Sequence, residues 1–384
     1  MVVQHNLTAM NSTRMLSITQ GSLSKSAEKL SSGYKVNRAA DDAAGLSISE
    51  KMRKQIRGLD QASANAEDGI SAVQTAEGAL GEVHDMLQRM NELAVKASNG
   101  TMSEDDRQTI QDEVDQLLTE IDRVAETTKF NETYLLKGDA SKTVSVTLNA
   151  HDAGIKGNFR KTGETTNSTS AANDKTLGSV DFVINVADKT KITIAGKDYV
   201  ISTSATTGTY ATTGSSTISQ DDAKALIKAE LELANKIGDT TNTATVDGGT
   251  LSGNDLKFAI TKGKASTNGA LAFSLHVGAD ADMTNKIGVS IDSLDTKGLG
   301  INKLDVKDSS GMKGTYAIDA ISDAVAKISA TRSKMGAIQN RLEHTIKNLD
   351  NIVENTTSAE SSIRDTDMAD EMVKYSKNNI LSQA

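Results

Sequence analysis

The stretch from Leu46 to Ala97 carries apolar residues at a spacing of seven, which predicts one long helix with a single buried face. The members of this row are Met52, Leu59, Ala66, Val73, Leu80, Leu87 and Ala94. At about 1.5 Å per residue the helix would be on the order of 78 Å long, so it needs equally long partners. Glycines at 58, 69, 78 and 81 weaken a helix but permit close approach of another one.

A second row of the same spacing lies near the other end of the chain and predicts the partner. Its members are Ile321, Ile328, Met335, Leu342 and Leu349, continued by Thr356 and Ile363. We expect this helix to begin near Thr315 or Tyr316 and to pair with the first one. The alternative is two unrelated long helices inside a large globular bundle.

The two ends of the chain show weaker versions of this pattern. Residues 1–43 carry a thin row of Ala9, Leu16, Leu23 and Leu30, and the helix should end near Ser31-Ser32-Gly33, where glycine can adopt the left-handed conformation. The segment 361–384 has a similarly narrow apolar face. We expect both segments to become ordered by association, and frayed tails are the alternative.

A further helix should follow the break at Asn99-Gly100-Thr101. Ser103 and Asp106 have the spacing of a capping box, and apolar residues then recur at helical intervals. Those residues are Ile110, Val114, Leu117, Ile121 and Val124. The short connection predicts that this helix runs antiparallel to the preceding one.

The composition changes near Gly138, where Thr, Ser, Gly, Asn and Asp become common. We predict strands at Thr143–Leu148, Val180–Val186, Lys191–Ile194, Tyr199–Ser202, Leu256–Thr261, Ala270–Val277 and around Val289 and Ile291, with a helix at Gln220–Ile237. Ala195 to Asp198 should form a hairpin turn. These regular β-branched runs favour an inserted strand-rich domain over a disordered linker.

Composition limits the functions that this chain can have. Its net charge is −9, which does not suggest a nucleic-acid-binding surface. Cysteine is absent, so disulfides and thiolate chemistry are excluded, and proline is absent as well. Met1 to Met15 lack the pattern of a secretory signal, and no apolar run is long enough for a membrane span. If the protein is exported, we expect the export route to recognise a feature other than a secretory signal peptide.

We find no active site in the sequence. None of the five histidines, His5, His84, His151, His276 and His344, has a neighbour at metal-ligand spacing. The segment Gly278 to Asp282 resembles the start of a calcium loop, but Ile291 stands where the bidentate glutamate belongs, so a turn is favoured. The acidic residues Asp365, Asp367, Asp370 and Glu371 are interpreted as a solvated helix face or as residues of a first helical turn. We therefore expect no catalysis, no cofactor and no metal.

Several segments resemble bacterial flagellin. Leu30 to Ile70 reads LSSGYKVNRAADDAAGLSISEKMRKQIRGLDQASANAEDGI, and further matches are TAEGAL at 75–80, LQRMNELAV at 87–95 and IDRVAETTKFN at 121–131. At the far end, SSIRDTDMADEMVKYSKNNILSQA at 361–384 is similar to the flagellin C-terminal segment. The resemblance covers roughly residues 1–137 and 275–384.

The resemblance implies a self-assembling subunit of the bacterial flagellar filament, extracellular and exported unfolded through the flagellar type III apparatus. It implies other flagellin subunits, an export chaperone, and cap and junction proteins as partners, with no nucleic acid and no membrane insertion. Family members usually continue past the Ser-Gln-Ala segment with another amphipathic stretch. Since this sequence ends at Ala384, we expect a truncated chain or an omitted tail.

The resemblance also implies a surface that the flagellin-sensing Toll-like receptor of the host recognises. The matching positions are Gln88, Arg89 and Leu93 in LQRMNELAV and Glu113 on the next helix. The alternative is that Leu93 and its neighbours pack between subunits. The alternatives for function are a hook–filament junction protein, or a flagellin whose insert is enzymatic or carries glycans.

We therefore predict a mainly α fold with an inserted α+β domain: a long, coiled-coil-like bundle of the paired terminal segments, plus a strand-rich variable outer domain. The predicted domains are 1–43 with 350–384 (inner tube), 44–137 with 275–349 (helical rod) and 138–274 (outer domain). The residues predicted to carry assembly are Leu16, Leu23, Leu30, Met52, Leu59, Val73, Leu80, Leu87, Ile328, Met335, Leu342, Leu349 and Ile363.

Overall fold

The computed structural model describes residues 6–161, 179–202, 217–252, 254–308 and 311–383. It forms two compact units. Unit 1 comprises Met1–Ile70, Ser274–Ile287 and Asn340–Ala384, and unit 2 comprises Ser71–Phe273 and Gly288–Gln339. The fold is mainly α with an inserted α+β region, as the hydrophobic pattern predicts. Parts of the predicted outer domain, at 162–178 and 203–216, lie outside the described residues.

Two long helices contribute to both units. They are α2, Ala43–Ala97, and α6, Met312–Arg364. Within unit 1, Ser63 on α2 lies 3.5 Å from Asp350 on α6, measured between the side-chain oxygens. Within unit 2, Arg332 on α6 forms an ion pair of 3.8 Å with Glu77 on α2. Also within unit 1, Ser49, which precedes Ser63 on α2, lies 3.4 Å from Glu360, which follows Asp350 on α6, so the two helices are antiparallel there.

The terminal helices are α1, Leu7–Ser32, and α7, Met368–Gln383. The predicted end of α1 is confirmed, because Gly33 has φ 77° and donates its N–H to the carbonyl of Lys29. Helix α3, Glu104–Thr127, begins with the predicted capping box of Ser103 and Asp106. Two further helices lie in unit 2: α4, Gln220–Asn235, and the short α5, Thr296–Leu299.

The strands are β1 Lys129–Phe130, β2 Thr133–Tyr134, β3 Asp139–Thr147, β4 Asn158–Lys161, β5 Ser179–Asn185, β6 Lys191–Ile194, β7 Lys197–Ile201, β8 Thr217–Ile218, β9 Thr245–Val246, β10 Thr250–Ser252, β11 Asp255–Thr261, β12 Lys264–Gly269, β13 Leu271–His276 and β14 Lys286–Ile291. The largest sheet has the order β10-β11-β5-β4, with β9 also pairing with β11. Smaller sheets pair β12 with β3, β13 with β14, β1 with β2, and β7 with both β6 and β8.

The core of the largest sheet contains three of the five phenylalanines of the chain. Phe159, Phe182 and Phe258 are fully buried, and the rings of Phe159 and Phe182 have centroids 5.3 Å apart. The predicted hairpin turn is confirmed: Ile194 pairs with Lys197, and both intervening residues, Ala195 and Gly196, have positive φ. Such a two-residue turn matches the right-handed twist of its strands.

One predicted boundary is wrong. Helix α6 begins at Met312 rather than near Thr315, because the carboxylate of Asp308 accepts the N–H groups of Gly311, Met312 and Lys313 and so caps an earlier turn. The segment 361–384 contains the end of α6 and all of α7, with an interruption between Arg364 and Met368. Within the described ranges, no helix combines the length and the apolar character required to cross a membrane.

Candidate interaction surfaces

The terminal helices α1 and α7 of unit 1 pack against each other and still leave large apolar side chains exposed to solvent. The exposed residues are Leu7, Met10, Met15, Leu16 and Ile18 on α1, and Met368, Met372, Val373, Ile380 and Leu381 on α7. A concavity of about 550 Å³ lies among the α7 residues. Contiguous exposed apolar surface of this kind marks an interaction site.

The contact between α1 and α7 contains a buried polar pair. Ser26 on α1 and Glu371 on α7 are both buried, and Ser26 forms a hydrogen bond to the Glu371 carboxylate. Burial alone would raise the pKa of Glu371, but hydrogen bonds from Ser26 and Lys374 and the charge of Lys29 more than offset this and lower it. The ionised carboxylate therefore helps to fix how the two terminal helices meet.

In unit 1 the segment that follows α1 is hydrogen-bonded to the segment that precedes α7, and we call this contact the junction. Lys35 N–H donates to the carbonyl of Arg364 at 2.6 Å, and Thr366 N–H donates to the carbonyl of Gly33 at 3.0 Å. The Arg364 side chain contacts Ser49 and Glu50 on α2. The break between α1 and α2 is thus tied directly to the break between α6 and α7.

The residues predicted to carry assembly are mostly buried. In unit 1, Leu59, Ala62 and Leu349 form one cluster, and Leu342 is also fully buried. In unit 2 the fully buried residues of the rows are Val73, Leu80, Leu87, Ile328 and Met335. The remaining predicted positions, Leu23, Leu30, Met52 and Ile363, are only partly buried, and Leu16 is 42% exposed. The less buried positions, apart from Met52, therefore lie in the terminal segments, where the apolar rows are weak.

The four predicted receptor-recognition residues lie in unit 2 on α2 and α3. The Arg89 guanidinium forms an ion pair of 2.8 Å with Glu113 and another of 3.1 Å with Glu92. The hydrogen bond to Glu113 is the main reason why the pKa of Arg89 is raised. Gln88 is exposed and bonds to His84 at 2.9 Å, whereas Leu93 is only 3% exposed. Arg89, Glu113 and Gln88 thus form a polar surface above the buried Leu93.

Arg107 on α3 has a structural role that the hydrophobic pattern alone does not predict. This guanidinium is 1% exposed and donates to three backbone carbonyls, those of Ala97, Asn99 and Asp308. It therefore joins the end of α2 to the loop that precedes α6. The sequence does contain a signal, because Arg107 stands seven residues before Val114 in the apolar row of α3.

The predicted histidine and calcium-loop positions can be compared with the described part of the chain. Within the described ranges no group of three or more His, Asp or Glu side chains could hold a metal ion. Asp282 in the loop resembling a calcium site instead accepts the N–H of Thr284 and starts a single 3-10 turn. His5 lies outside the described residues.

Comparisons with known proteins agree with this arrangement of helices. Residues 3–141 match the family described as the bacterial flagellin N-terminal helical region, and residues 318–384 match the bacterial flagellin C-terminal helical region. The chain is 43% identical to a flagellin of Clostridium tyrobutyricum over 396 aligned positions, which span 100% of this chain and 96% of the relative.

A second relative, a flagellin of Bacillus subtilis (strain 168), is 35% identical over 386 aligned positions, which cover 100% of this chain and 93% of that protein. Among solved structures, the crystal structure of Bacillus cereus flagellin is similar with a TM-score of 0.35 and 18% identity, covering 74% of this chain and 88% of that one.

Proposed function

Because this chain belongs to the bacterial flagellin family and is a structural subunit of the flagellar filament rather than an enzyme, we propose that its subunits polymerise through the terminal helices α1 and α7. The observation that carries this proposal is the apolar surface which remains exposed after α1 and α7 have packed on each other. Covering one Ile or Val side chain contributes about 1.5–3 kcal/mol, so a few such residues per contact suffice for assembly.

Polymerisation can be tested by adding purified subunits to short filament seeds and measuring elongation by electron microscopy and sedimentation. Ile18→Asp on α1 and Val373→Asp on α7 should each raise the subunit concentration needed for elongation roughly ten-fold or more, since each removes apolar burial and adds a charge. Ser12→Asp is the matched control, because Ser12 is an exposed polar residue on α1. Elongation that is equally fast in all three variants contradicts the proposal.

The same experiment separates the filament subunit from the alternative of a hook–filament junction protein. A filament subunit elongates seeds without limit, whereas a junction protein adds only a short segment to an end. The three-part division into 1–43 with 350–384, 44–137 with 275–349, and 138–274 belongs to this proposal. The junction around Lys35 and Arg364 supports a boundary before α2, whereas α6 continues without a break across the proposed boundary at 349–350.

We further propose that the chain is exported unfolded by the flagellar type III apparatus and assembles outside the cell, with an export chaperone and with cap and junction proteins as partners. The exposed apolar side chains of α7 support the need for a chaperone, because such a surface is prone to premature association. Export can be measured by the appearance of the full chain in the medium of cells with and without the apparatus.

For the monomer we also propose recognition by the flagellin-sensing Toll-like receptor through Gln88, Arg89, Leu93 and Glu113. The exposed ion pair of Arg89 with Glu113 offers both signs of charge on a rigid helical surface. Buried Leu93 then acts by supporting that surface rather than by direct contact.

Receptor binding can be measured by surface plasmon resonance with the receptor ectodomain. Arg89→Ala and Glu113→Ala should each weaken affinity roughly ten-fold, as expected when one partner of an interfacial charge pair is removed. Arg123→Ala is the matched control, because Arg123 is a similarly exposed arginine on α3 that pairs with Glu120. Unchanged affinity in both test variants refutes this part of the proposal.

A further inference from the structure

Unit 2 contains a small polar cavity that is separate from the terminal helices and from the Arg89 surface. Its volume is about 330 Å³, at the lower end of the range for small-molecule sites. It is lined by the end of β3 and the residues after it, by the turn that follows α5, and by one face of α6. Its polar side chains are those of Thr147, Asn149, His151, Asp323 and Lys327.

His151 is the buried member of this group, with its side chain only 6% exposed. Its Nδ1 lies 2.8 Å from a carboxylate oxygen of Asp319 on α6. Because an ionised carboxylate only accepts, Nδ1 carries a proton, and in the neutral form of the ring Nε2 is an acceptor. Among the described residues Nε2 has no hydrogen-bond partner and is not fully buried, and His151 lines the cavity, so Nε2 is the ring atom open to a ligand.

The backbone around His151 is fixed from behind by Asn235 on α4. The Asn235 side chain accepts the N–H of His151 at 3.0 Å and donates to the carbonyl of His151 at 2.9 Å. Asn235 is itself buried and also donates to the carbonyl of Leu231. The position of the imidazole is therefore set before any ligand binds, which favours affinity.

The remaining groups on α6 follow the same helix face at intervals of one turn: Asp319, Asp323 and Lys327. Asp323 accepts a hydrogen bond from Asn149 with one of its oxygens, which leaves the other oxygen available. The Lys327 ammonium donates to the carbonyl of Gly298, which leaves two of its three N–H groups. Burial is the main reason why the pKa of Lys327 is lowered, so its charge is kept there against a solvation penalty.

These groups together select the charge of a ligand. A cation would meet the ammonium of Lys327, and an anion would meet the carboxylate of Asp323. A neutral molecule that both donates and accepts hydrogen bonds satisfies the acceptors His151 and Asp323 and the donor Lys327 at once. The buried apolar side chains of Leu148 and Leu299 provide the walls for a carbon skeleton. Hydroxyl groups on a compact ring have these properties.

We propose that this cavity binds a neutral sugar of monosaccharide size, with His151 and Asp323 accepting from its hydroxyl groups and Lys327 donating to them. The site would give the subunit a carbohydrate-binding property in addition to its structural role. Its existence does not depend on polymerisation or on receptor recognition.

The test is titration of the full-length monomer with D-glucose, D-galactose, D-mannose and N-acetyl-D-glucosamine, followed by calorimetry and by nitrogen-15 NMR of the histidine rings. At least one sugar should bind with a dissociation constant on the order of 1–10 mM, ordinary for a small polar ligand. It should shift the His151 Nε2 resonance and leave the His276 ring unchanged. No binding of any of the four sugars up to about 50 mM overturns the proposal.

Two variants test the site without touching His151. Lys327→Met removes the donor and should weaken binding roughly ten-fold. Ala326→Phe narrows the mouth of the cavity, because Ala326 is an exposed lining residue, and should also weaken binding. Lys334→Met is the control, since Lys334 is an exposed lysine on the same helix. If both test variants bind as tightly as the control, the sugar is bound elsewhere and the proposal is wrong.

Discussion

The guanidinium carbon of Arg364 lies 4.5 Å from the centre of the Tyr34 ring. Arg364 is the last residue of α6, and Tyr34 follows the glycine that ends α1. The same guanidinium bonds to Glu50 at 3.2 Å. One side chain thus connects the ends of two helices with the beginning of α2, so the geometry of the terminal pair depends on it.

Replacing Arg364 with alanine should release this junction. The lost cation–π contact and the lost hydrogen bonds to charged groups together amount to about 2 kcal/mol of local stability. We expect limited proteolysis between residues 33 and 42 to become at least ten-fold faster, since cleavage follows local opening. Arg53→Ala is the control, because its 3.6 Å pair with Glu50 is exposed and contributes little. Equal cleavage rates in the two variants would show that Arg364 does not hold the junction.

Replacing Arg107 with methionine should destabilise unit 2 strongly. The change leaves the carbonyls of Ala97, Asn99 and Asp308 without their donor, at about 1 kcal/mol or more each. Urea unfolding followed by circular dichroism should show a loss of about 3 kcal/mol. Arg123→Met, which breaks only an exposed pair on the same helix, should change stability by less than about 0.5 kcal/mol. A small effect at Arg107 would mean that water replaces the guanidinium.

Replacing each of two glycines with alanine should change the stability of the fold in opposite directions. Gly78 lies inside α2 with no atom near the position of an added Cβ, so Gly78→Ala should stabilise the monomer by about 0.5–1 kcal/mol. Gly238 has φ +75°, and a Cβ there would overlap the carbonyl of Gly300, so Gly238→Ala should destabilise by about 2 kcal/mol or more. Thermal unfolding of both variants beside the wild type measures the difference. Destabilisation by Gly78→Ala would reveal a close contact at that position.

Asp239 should make the stability of unit 2 depend on acid pH. Burial alone would raise the pKa of Asp239, but backbone N–H groups of Ala244, Thr241 and Lys264 donate to its carboxylate and lower the pKa below its ordinary value. The unfolded chain then binds the proton more readily, so the stabilisation is complete above about pH 4 and is lost as the pH falls through the folded-state pKa.

Asp239→Asn should therefore be less stable than wild type at pH 7, because one amide NH₂ would face backbone donors. The difference should shrink below about pH 3, where the wild-type carboxyl is protonated too. Urea unfolding at several pH values measures it. The control is Asp247→Asn, since Asp247 is exposed and its carboxylate bonds only to the adjacent Gly248 N–H among the described residues. A difference that stays constant from pH 7 to about pH 3 would contradict the role of the charge.

The hydrophobic pattern of the sequence reveals one of the two candidate surfaces, the assembly surface, and does not reveal the receptor surface. The assembly rows are visible in the sequence because a seven-residue period repeats many times, and the exposed Leu16 and the half-buried Met52 each belong to such a row. The receptor positions follow from resemblance alone. No periodicity distinguishes Arg89, which pairs with Glu113 across two helices, from Arg123, which pairs with Glu120 on one helix.

The sequence by itself determined the elements whose information is local or periodic. The long helices, the glycine end of α1, the capping box of α3 and the two-residue turn at Ala195 and Gly196 depend on residues within a few positions of each other or on a repeated spacing. Tertiary structure alone decided the contacts of Arg107, Arg364 and His151. Each of these side chains bonds to residues distant in sequence, and no local preference reports which carbonyl or carboxylate the folded chain will bring within reach.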